Sequence, residues 1–462
     1  MLRLFKHYVP HAVLMLGLVD FALLVTAAEA SWVIRAHQID MHVDTLTTRL
    51  SPLLTFAVSL QLAMVAVGVY GIDALQSLRI AAARLLVATS LGVILLSMMF
   101  FMLPGTTLWR SNLLYAMILS LALLMLVRAL FGKFLGSEGF KRRVLVLGAG
   151  RRAERIRKLA ARPGAGFVVV GHVGMNDCDP VIPTAIDRAH IESLAEHAML
   201  LNASEVVLAL EERRNALPLN DLIRVKTKGI YVNEFSSFLE RETGRVDLDS
   251  VNPSWLIFSD GFSSGQRLSS VAKRAFDLVA SLLLVLATLP VVMLTAIAIK
   301  LESKGPAFFR QERVGLYGET FGLFKLRSMR HDAEGTGGAV WAQMDDPRTT
   351  RIGKWIRKFR IDELPQSWNV LRGDMSFVGP RPERPSFVAD LETKLSYYAE
   401  RHMVKPGITG WAQINYPYGA SLEDSRHKLE YDLYYAKNYT PFLDVLILLQ
   451  TLRVILWPTG AR

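Results

Sequence analysis

Four apolar stretches crowd the first third of this chain, at residues 12–34, 52–72, 81–103 and 112–131. Each is about 20 residues long, the length at which an α-helix crosses the hydrocarbon core of a bilayer with its own backbone hydrogen bonds satisfied. The first is too long for a cleaved leader, contains Asp20 and Glu29, and is followed by three segments like it. It therefore reads as a span and not as a signal peptide. Basic residues sit before the first segment (Arg3, Lys6), around the start of the third (Arg79, Arg84) and densely from Arg128 through Lys133 to Arg143. That bias places both ends of the four-span unit in the cytosol. Acids inside a membrane are expensive, so Asp20 and Glu29 have either a direct function or a partner. Pairing within the bundle is the expectation, with Glu29 near an interface.

A fifth apolar segment, 278–299, is long enough to cross as well. Crossing would move everything after it to the opposite face. Lys273 and Arg274 precede it, Lys300 and Lys304 follow it, and Pro290 lies near its middle. Positive charge at both ends keeps both on one side, and a proline removes a backbone donor and favours a bend. The three observations together predict a helix-break-helix over 274–301 that enters one leaflet and returns, anchored by Lys273, Arg274 and Pro290. Thr288 is placed to return a hydroxyl hydrogen bond to the helix.

The chain is 51% hydrophobic yet 21% charged, too apolar for an ordinary soluble enzyme and too charged for a bare membrane bundle. Its net charge of +11 is dispersed and flanks the apolar segments, which suits anionic lipid and a polyanionic substrate and argues against nucleic acid. One cysteine, Cys178, excludes an intrachain disulfide, and the ten histidines show no zinc-ligand spacing.

From about Arg143 to Asp260 strands and helices alternate: VLVLGAGRRAERI, FVVVGHV, EVVLAL and IYVNEF imply a small Rossmann-like, parallel α/β domain. Gly148 and Gly150 fit a G-x-G-x-x-A dinucleotide turn. Asp177 comes late for the acid expected on the second strand, and the soluble part lacks a Y-x-x-x-K pair. A structural or regulatory module, with a surface for homodimer formation, is the preferred reading.

After Gly305 the sequence turns polar. FFRQERVGLYGETFGLFKLRSMR predicts a β-hairpin presenting Arg310, Arg313, Lys325 and Arg327, and HDAEGTGG (331–338) predicts a loop. RKFRIDELPQSWNVLRGDMSFVGPRPER (357–384) then sets the acids Asp362 and Glu363 ahead of a rigid Pro380-Arg381-Pro382 turn. An isolated Asp-Glu pair is usually the first turn of a surface helix. Here a nucleophile or metal ligand and a fixed cation are what phosphoryl transfer needs.

The long stretch 346–382, with KPGITGWAQIN (405–415) and LEYDLYYAKN (429–438), closely resembles the bacterial sugar transferases, the polyisoprenyl-phosphate hexose-1-phosphate transferases of the monotopic phosphoglycosyl transferase superfamily. The resemblance runs from about residue 273 to 456, and the upstream segments resemble the polytopic, exopolysaccharide-type members. It implies a membrane α-helical four-span bundle (1–134), a Rossmann-like cytosolic domain (135–265) and an α+β catalytic domain (266–462) with a re-entrant helix. It also implies transfer of a sugar-1-phosphate from a UDP-sugar to undecaprenyl phosphate at the bacterial inner membrane, releasing UMP, with Mg2+.

By position Asp362 matches the family's nucleophile, Glu363 the neighbouring metal-associated acid, and Arg381 the arginine contacting donor phosphate. Asp432 and Asp444 match later acids near the active site, and Arg327 stands where many members have Lys. Lys325 and Arg360 are further candidates for phosphate binding, Arg360 where the family often has an uncharged residue. The sequence YPYGASLEDSR after Asn415 departs from the usual family pattern and leaves the hexose open. Residues 441–457 read as an interfacial helix. Two other readings remain: a membrane-bound NAD-dependent nucleotide-sugar dehydratase or epimerase, and a non-catalytic polysaccharide assembly scaffold.

Overall fold

Long apolar segments without breakers form helices because nothing else satisfies their backbone away from water. In the computed structural model they are α1 (His11–Gln38), α2 (Leu46–Val67), α3 (Leu78–Met102) and α4 (Arg110–Leu135). The structure describes residues 2–4, 7–9, 11–40, 45–71, 74–75, 77–135, 141–175, 181–211, 217–251, 267–330, 348–417, 419 and 421–456. Asp177, Cys178 and the 331–338 loop lie outside the described residues.

The two acids of α1 are paired. Arg128 of α4 donates from both terminal nitrogens to Asp20, at 3.1 and 2.6 Å, and Tyr70 donates to the same carboxylate at 2.8 Å. Gln61 donates to Tyr70 at 2.7 Å, and Arg49 pairs with Glu29. Asp20 and Arg128 are buried, so each neutralises a charge the other could not keep there alone.

The chain divides into two compact units, up to Gly244 and from Arg245, apart from a few N-terminal residues. The first unit joins the four helices with a five-stranded parallel sheet of order β3-β2-β1-β4-β5. Its strands are β1 (Arg142–Leu147), β2 (Phe167–Gly174), β3 (Ile186–Asp187), β4 (Glu205–Leu208) and β5 (Tyr231–Glu234). Helices α5 (Arg151–Ala160), α6 (Leu194–Leu200), α7 (Leu219–Thr227) and α8 (Phe235–Thr243) connect or follow them. Val144 and Val146 belong to one buried cluster and Leu145 and Leu147 to another, as a strand covered on both faces requires.

The second unit begins with residues the sequence reading placed in the α/β domain: Val246, Leu248 and Val251 join its core. Helix α9 (Arg267–Glu302) follows, then the antiparallel hairpin β6 (Phe308–Val314) and β7 (Thr320–Leu326). Next come α10 (Arg351–Lys358), α11 (Gln366–Arg372), β8 (Ser376–Val378), α12 (Pro385–Lys394), β9 (Gly407–Thr409), α13 (Trp411–Asn415), α14 (Leu422–Asn438) and α15 (Pro441–Leu456). β8 and β9 pair in parallel.

Two expectations need correction. Pro290 does not break α9, which runs without interruption from Arg267 to Glu302. A proline removes one hydrogen bond from a long ladder, and Thr288 Oγ1 donates to the Leu284 carbonyl at 2.7 Å just before it. Nor is α15 only a surface helix: Leu443 and Ile447 are fully buried in the core with Trp411, Leu429 and Leu433, while Val445 stays exposed. With α9, five helices among the described residues are long and apolar enough to cross a membrane.

Candidate active site

The acid pair sits on a single 3-10 turn, Ile361–Glu363, between α10 and α11. Arg360 enters that turn at φ 54°, a left-handed conformation that a side chain adopts at a cost of about 1 kcal/mol or more. Behind the turn, Asn369 of α11 is fully buried. Its Oδ1 accepts from the Phe324 amide at 3.0 Å and its Nδ2 donates to the Gly322 carbonyl at 2.8 Å. Those bonds tie α11 to β7, the strand that carries Lys325.

Three cations converge on Glu363. Arg381 donates to Oε1 at 2.9 Å, Lys325 lies 3.3 Å from the same oxygen, and Arg360 lies 3.6 Å from Oε2. Burial alone would push Glu363 up, but Arg381, Lys325 and Arg360 outweigh it and hold the carboxyl well below the usual carboxylate range. Burial moves Lys325 the other way, downward, against the pull of Glu363.

Asp362 is different. Its carboxylate has no hydrogen-bond or ion-pair partner among the described residues, although the residue is buried. Burial, then the charge of Glu363, push it up to about 6 against the pull of Lys325, Arg357 and Arg381. One acid is locked into ion pairs while its neighbour is left uncommitted. An unpaired carboxylate of this kind is free to react, whereas the ion-paired one is not.

The backbone around Arg381 is tightly held. A Cβ on Gly379 would lie 2.2 Å from the Lys405 carbonyl, so only glycine fits where the turn meets the 405–407 segment. Trp411, buried and stacked 5.8 Å from Tyr434, is a packing anchor.

Other sequence candidates lie elsewhere. Arg327 does not reach the dyad: its guanidinium donates to the carbonyls of Ser303 and Lys304 and to the Ser303 hydroxyl, all at 2.9 Å, closing the end of α9. Asp432 accepts from buried Arg401 at 2.8 and 3.1 Å. Asp444 pairs with Lys273 at 2.6 Å and with the Tyr435 hydroxyl at 2.7 Å. Neither acid joins the cationic cluster. Lys273 also donates to the Val378 carbonyl, and Arg274 donates to the carbonyls of Val370 and Leu371 at the end of α11. These two basic residues bind α9 to protein groups. Asn369 and Arg401 were not singled out by the sequence, because only their distant partners give them a role.

The glycine turn of the α/β domain is built as expected, with Gly148 at φ 127° against the Ala209 carbonyl. Yet the amide at the start of α5, Arg151 N–H, donates to Glu211 at 2.8 Å, and a Cβ on Gly150 would come within 3.0 Å of that carboxylate. The chain's own anion takes the place a phosphate would use.

Fold and site define a class: a protein with membrane-length helices joined to an α/β region, whose second unit sets an adjacent acid pair against a cationic wall. The chain belongs to the bacterial sugar transferase family, whose model matches residues 268–458, and a CoA-binding domain model matches 65–213. It is 44% identical over 241 residues to the UDP-N-acetylgalactosamine-undecaprenyl-phosphate N-acetylgalactosaminephosphotransferase of Aeromonas hydrophila, covering 52% of this chain and 56% of that protein. It is 47% identical over 186 residues to the undecaprenyl-phosphate glucose phosphotransferase of Komagataeibacter xylinus, covering 39% of this chain and 35% of that protein. An uncharacterized sugar transferase of Bacillus subtilis, EpsL, is 42% identical over 192 residues, 42% of this chain and 91% of its own length. The chain thus spans about half or less of the first two relatives and nearly all of the third.

Proposed function

We propose that this protein transfers a sugar-1-phosphate from a UDP-sugar to undecaprenyl phosphate and so begins assembly of a surface polysaccharide. The observation that carries the reading is the uncommitted Asp362 carboxylate beside Glu363, with Lys325, Arg360 and Arg381 gathered around the pair. In the first step an Asp362 oxygen attacks the phosphorus that bears the sugar, the diphosphate P–O bond breaks, and UMP leaves with the electron pair. In the second step an oxygen of the lipid phosphate attacks the same phosphorus, the Asp362–phosphorus bond breaks, and the carboxylate is regenerated with the lipid diphosphate sugar as product. Lys325, Arg360 and Arg381 offset the charge that would otherwise keep a carboxylate away from phosphates.

A small hard cation would find one ionised carboxylate here, Glu363, and would have to share it with Lys325, Arg360 and Arg381. Among the described residues no cluster of three or more His, Cys, Asp or Glu is placed to hold a metal, and Mg2+ takes most of its ligands from water and substrate phosphate. Glu363, kept ionised by its neighbours, would hold it. When bound, the cation would neutralise the donor diphosphate.

The division of labour follows the chain: residues 1–134 would anchor in the cytoplasmic membrane, 135–265 would form a cytosolic module whose Val246 and Val251 pack into the second unit, and 266–462 would carry the chemistry on the cytosolic side. Both ends of α9 would then lie on that side, with Arg274 held by the end of α11 and Glu302 by the Arg351 and Ile352 amides, which asks the unbroken helix to bend at Pro290. Glu211 at the glycine turn favours a structural role for the module, with self-association as its use.

The test is lipid-dependent UMP release from a panel of UDP-hexoses and UDP-N-acetylhexosamines by the full chain in detergent. Wild-type protein should release UMP with at least one donor, and Asp362→Asn should lower the rate roughly a thousandfold or more while the protein stays folded. No release with any donor, or full activity in Asp362→Asn, would overturn the reading.

A further inference from the structure

The Pro380-Arg381-Pro382 turn has its carbonyls claimed one after another. Pro380 O accepts from the Gly407 amide at 2.9 Å, and Arg381 O from Arg401 Nη2 at 2.9 Å. Pro382 O accepts from Arg313 Nη1 at 3.0 Å, and Glu383 O from the Val314 amide at 2.9 Å. The prolines fix φ at 380 and 382. Peptide orientation on either side of Arg381 is then set by these donors, and two of the four are arginine side chains, Arg401 buried and Arg313 half-buried.

Arg401 lies in the 3-10 turn Ala399–Met403, 5% exposed. Its Nη1 donates to the Tyr398 hydroxyl at 2.9 Å, its Nε and Nη2 to Asp432 Oδ2 at 3.1 and 2.8 Å, and Nη2 also to the Arg381 carbonyl. A buried ion pair contributes little net stability compared with apolar packing of the same volume. One planar fork does, however, hold several acceptors in fixed directions, which a lysine ammonium cannot. Asp432 thereby reaches the site without touching substrate: it orients Arg401, which orients the backbone from which the Arg381 guanidinium extends to Glu363.

We propose that Arg401, paired with Asp432, is a positioning residue that fixes the rotation of the Arg381 peptide so that Arg381 meets the donor phosphate beside the dyad. The inference rests on the reading of the site as a UDP-sugar phosphotransferase. Arg313 has the same office at the Pro382 carbonyl.

The experiment is a double-mutant cycle on the full-length protein, reading kcat and KM for whichever UDP-sugar the wild type uses. Arg401→Lys should lower kcat/KM between about tenfold and a hundredfold, the scale of a misplaced binding group. In an Arg381→Ala background, which has already lost the guanidinium being aimed, the same change should matter less than about threefold, because coupled residues are non-additive. Equal factors in the two backgrounds would show a general structural role and overturn the proposal, as would an Arg401→Lys enzyme within about twofold of wild type. If Arg401→Lys melts early, Arg313→Lys runs the same cycle through the neighbouring carbonyl, with the same two deciding outcomes. Wild-type protein that releases no UMP would sink the underlying reading, and the inference with it. A working wild type with an additive cycle would sink the inference alone.

Discussion

Asp362→Asn should stabilise the protein that it disables. The carboxyl is raised from 3.8 to about 6, chiefly by burial and then by Glu363. Between pH 4 and 6 the native chain keeps a proton that the unfolded chain gives up, so native stability falls as pH rises through that window. Above pH 7 the whole penalty is in place, and a carboxyl raised that far loses about 3 kcal/mol by staying ionised in the fold. Asparagine has nearly the same shape and never ionises, so it should recover about that amount at pH 7.5 and nothing at pH 4. For a unit of this size that is a Tm gain of about 6–12 °C, provided the unit melts cooperatively. The assay is thermal melting of detergent-solubilised wild type and Asp362→Asn from pH 4 to 8, with chelator to keep divalent cations off the carboxylates. An unchanged or lower Tm at pH 7.5, or a gain that persists at pH 4, would refute the argument that the nucleophile is held at the expense of the fold.

Two further outcomes are expected. With the Asp362 carboxyl at about 6, UMP release should fall about tenfold per pH unit below that value, since the protonated acid is no nucleophile; a rate flat to pH 4.5 would exclude Asp362 as the titrating group. In the bundle, Asp20→Ala strands the buried Arg128 and should destabilise by about 3–5 kcal/mol, whereas Asp20→Leu with Arg128→Met should come close to wild type. Chemical denaturation of the three proteins compares them, and equal losses in the single and double variants would rule out the stranded-charge account.

Much of this fold is legible because its signals are local and long. Four uninterrupted apolar runs read as helices, β-branched runs such as FVVVGHV read as strands, and the hairpin around Gly315 follows from its flanks. The dyad is legible because a long motif carries it. What the sequence hides is the destination of individual cations. Arg327 looks like a phosphate ligand beside Lys325, but its guanidinium turns to carbonyls more than twenty residues earlier. Asp432 and Asp444 read as site acids, and each is neutralised by a base distant in sequence, Arg401 or Lys273. Pro290 suggests a break, yet a helix this long continues through one missing donor. For these charged residues the destination is a tertiary neighbour that no local pattern reveals.

The opening turns of α9 are gripped at three points. Lys273 is held by Asp444 and the Val378 carbonyl, Arg274 by the end of α11, and Asp277 by the Ser376 hydroxyl and the Phe377 amide. Those partners are the strand that runs into Arg381 and the helix that leaves the dyad. The other end of α9 is held as well: Glu302 accepts from the Arg351 and Ile352 amides, and Ile299 packs with Ile356. Lipid that strains the apolar stretch between these anchors would load the Arg381 strand and the dyad helix together.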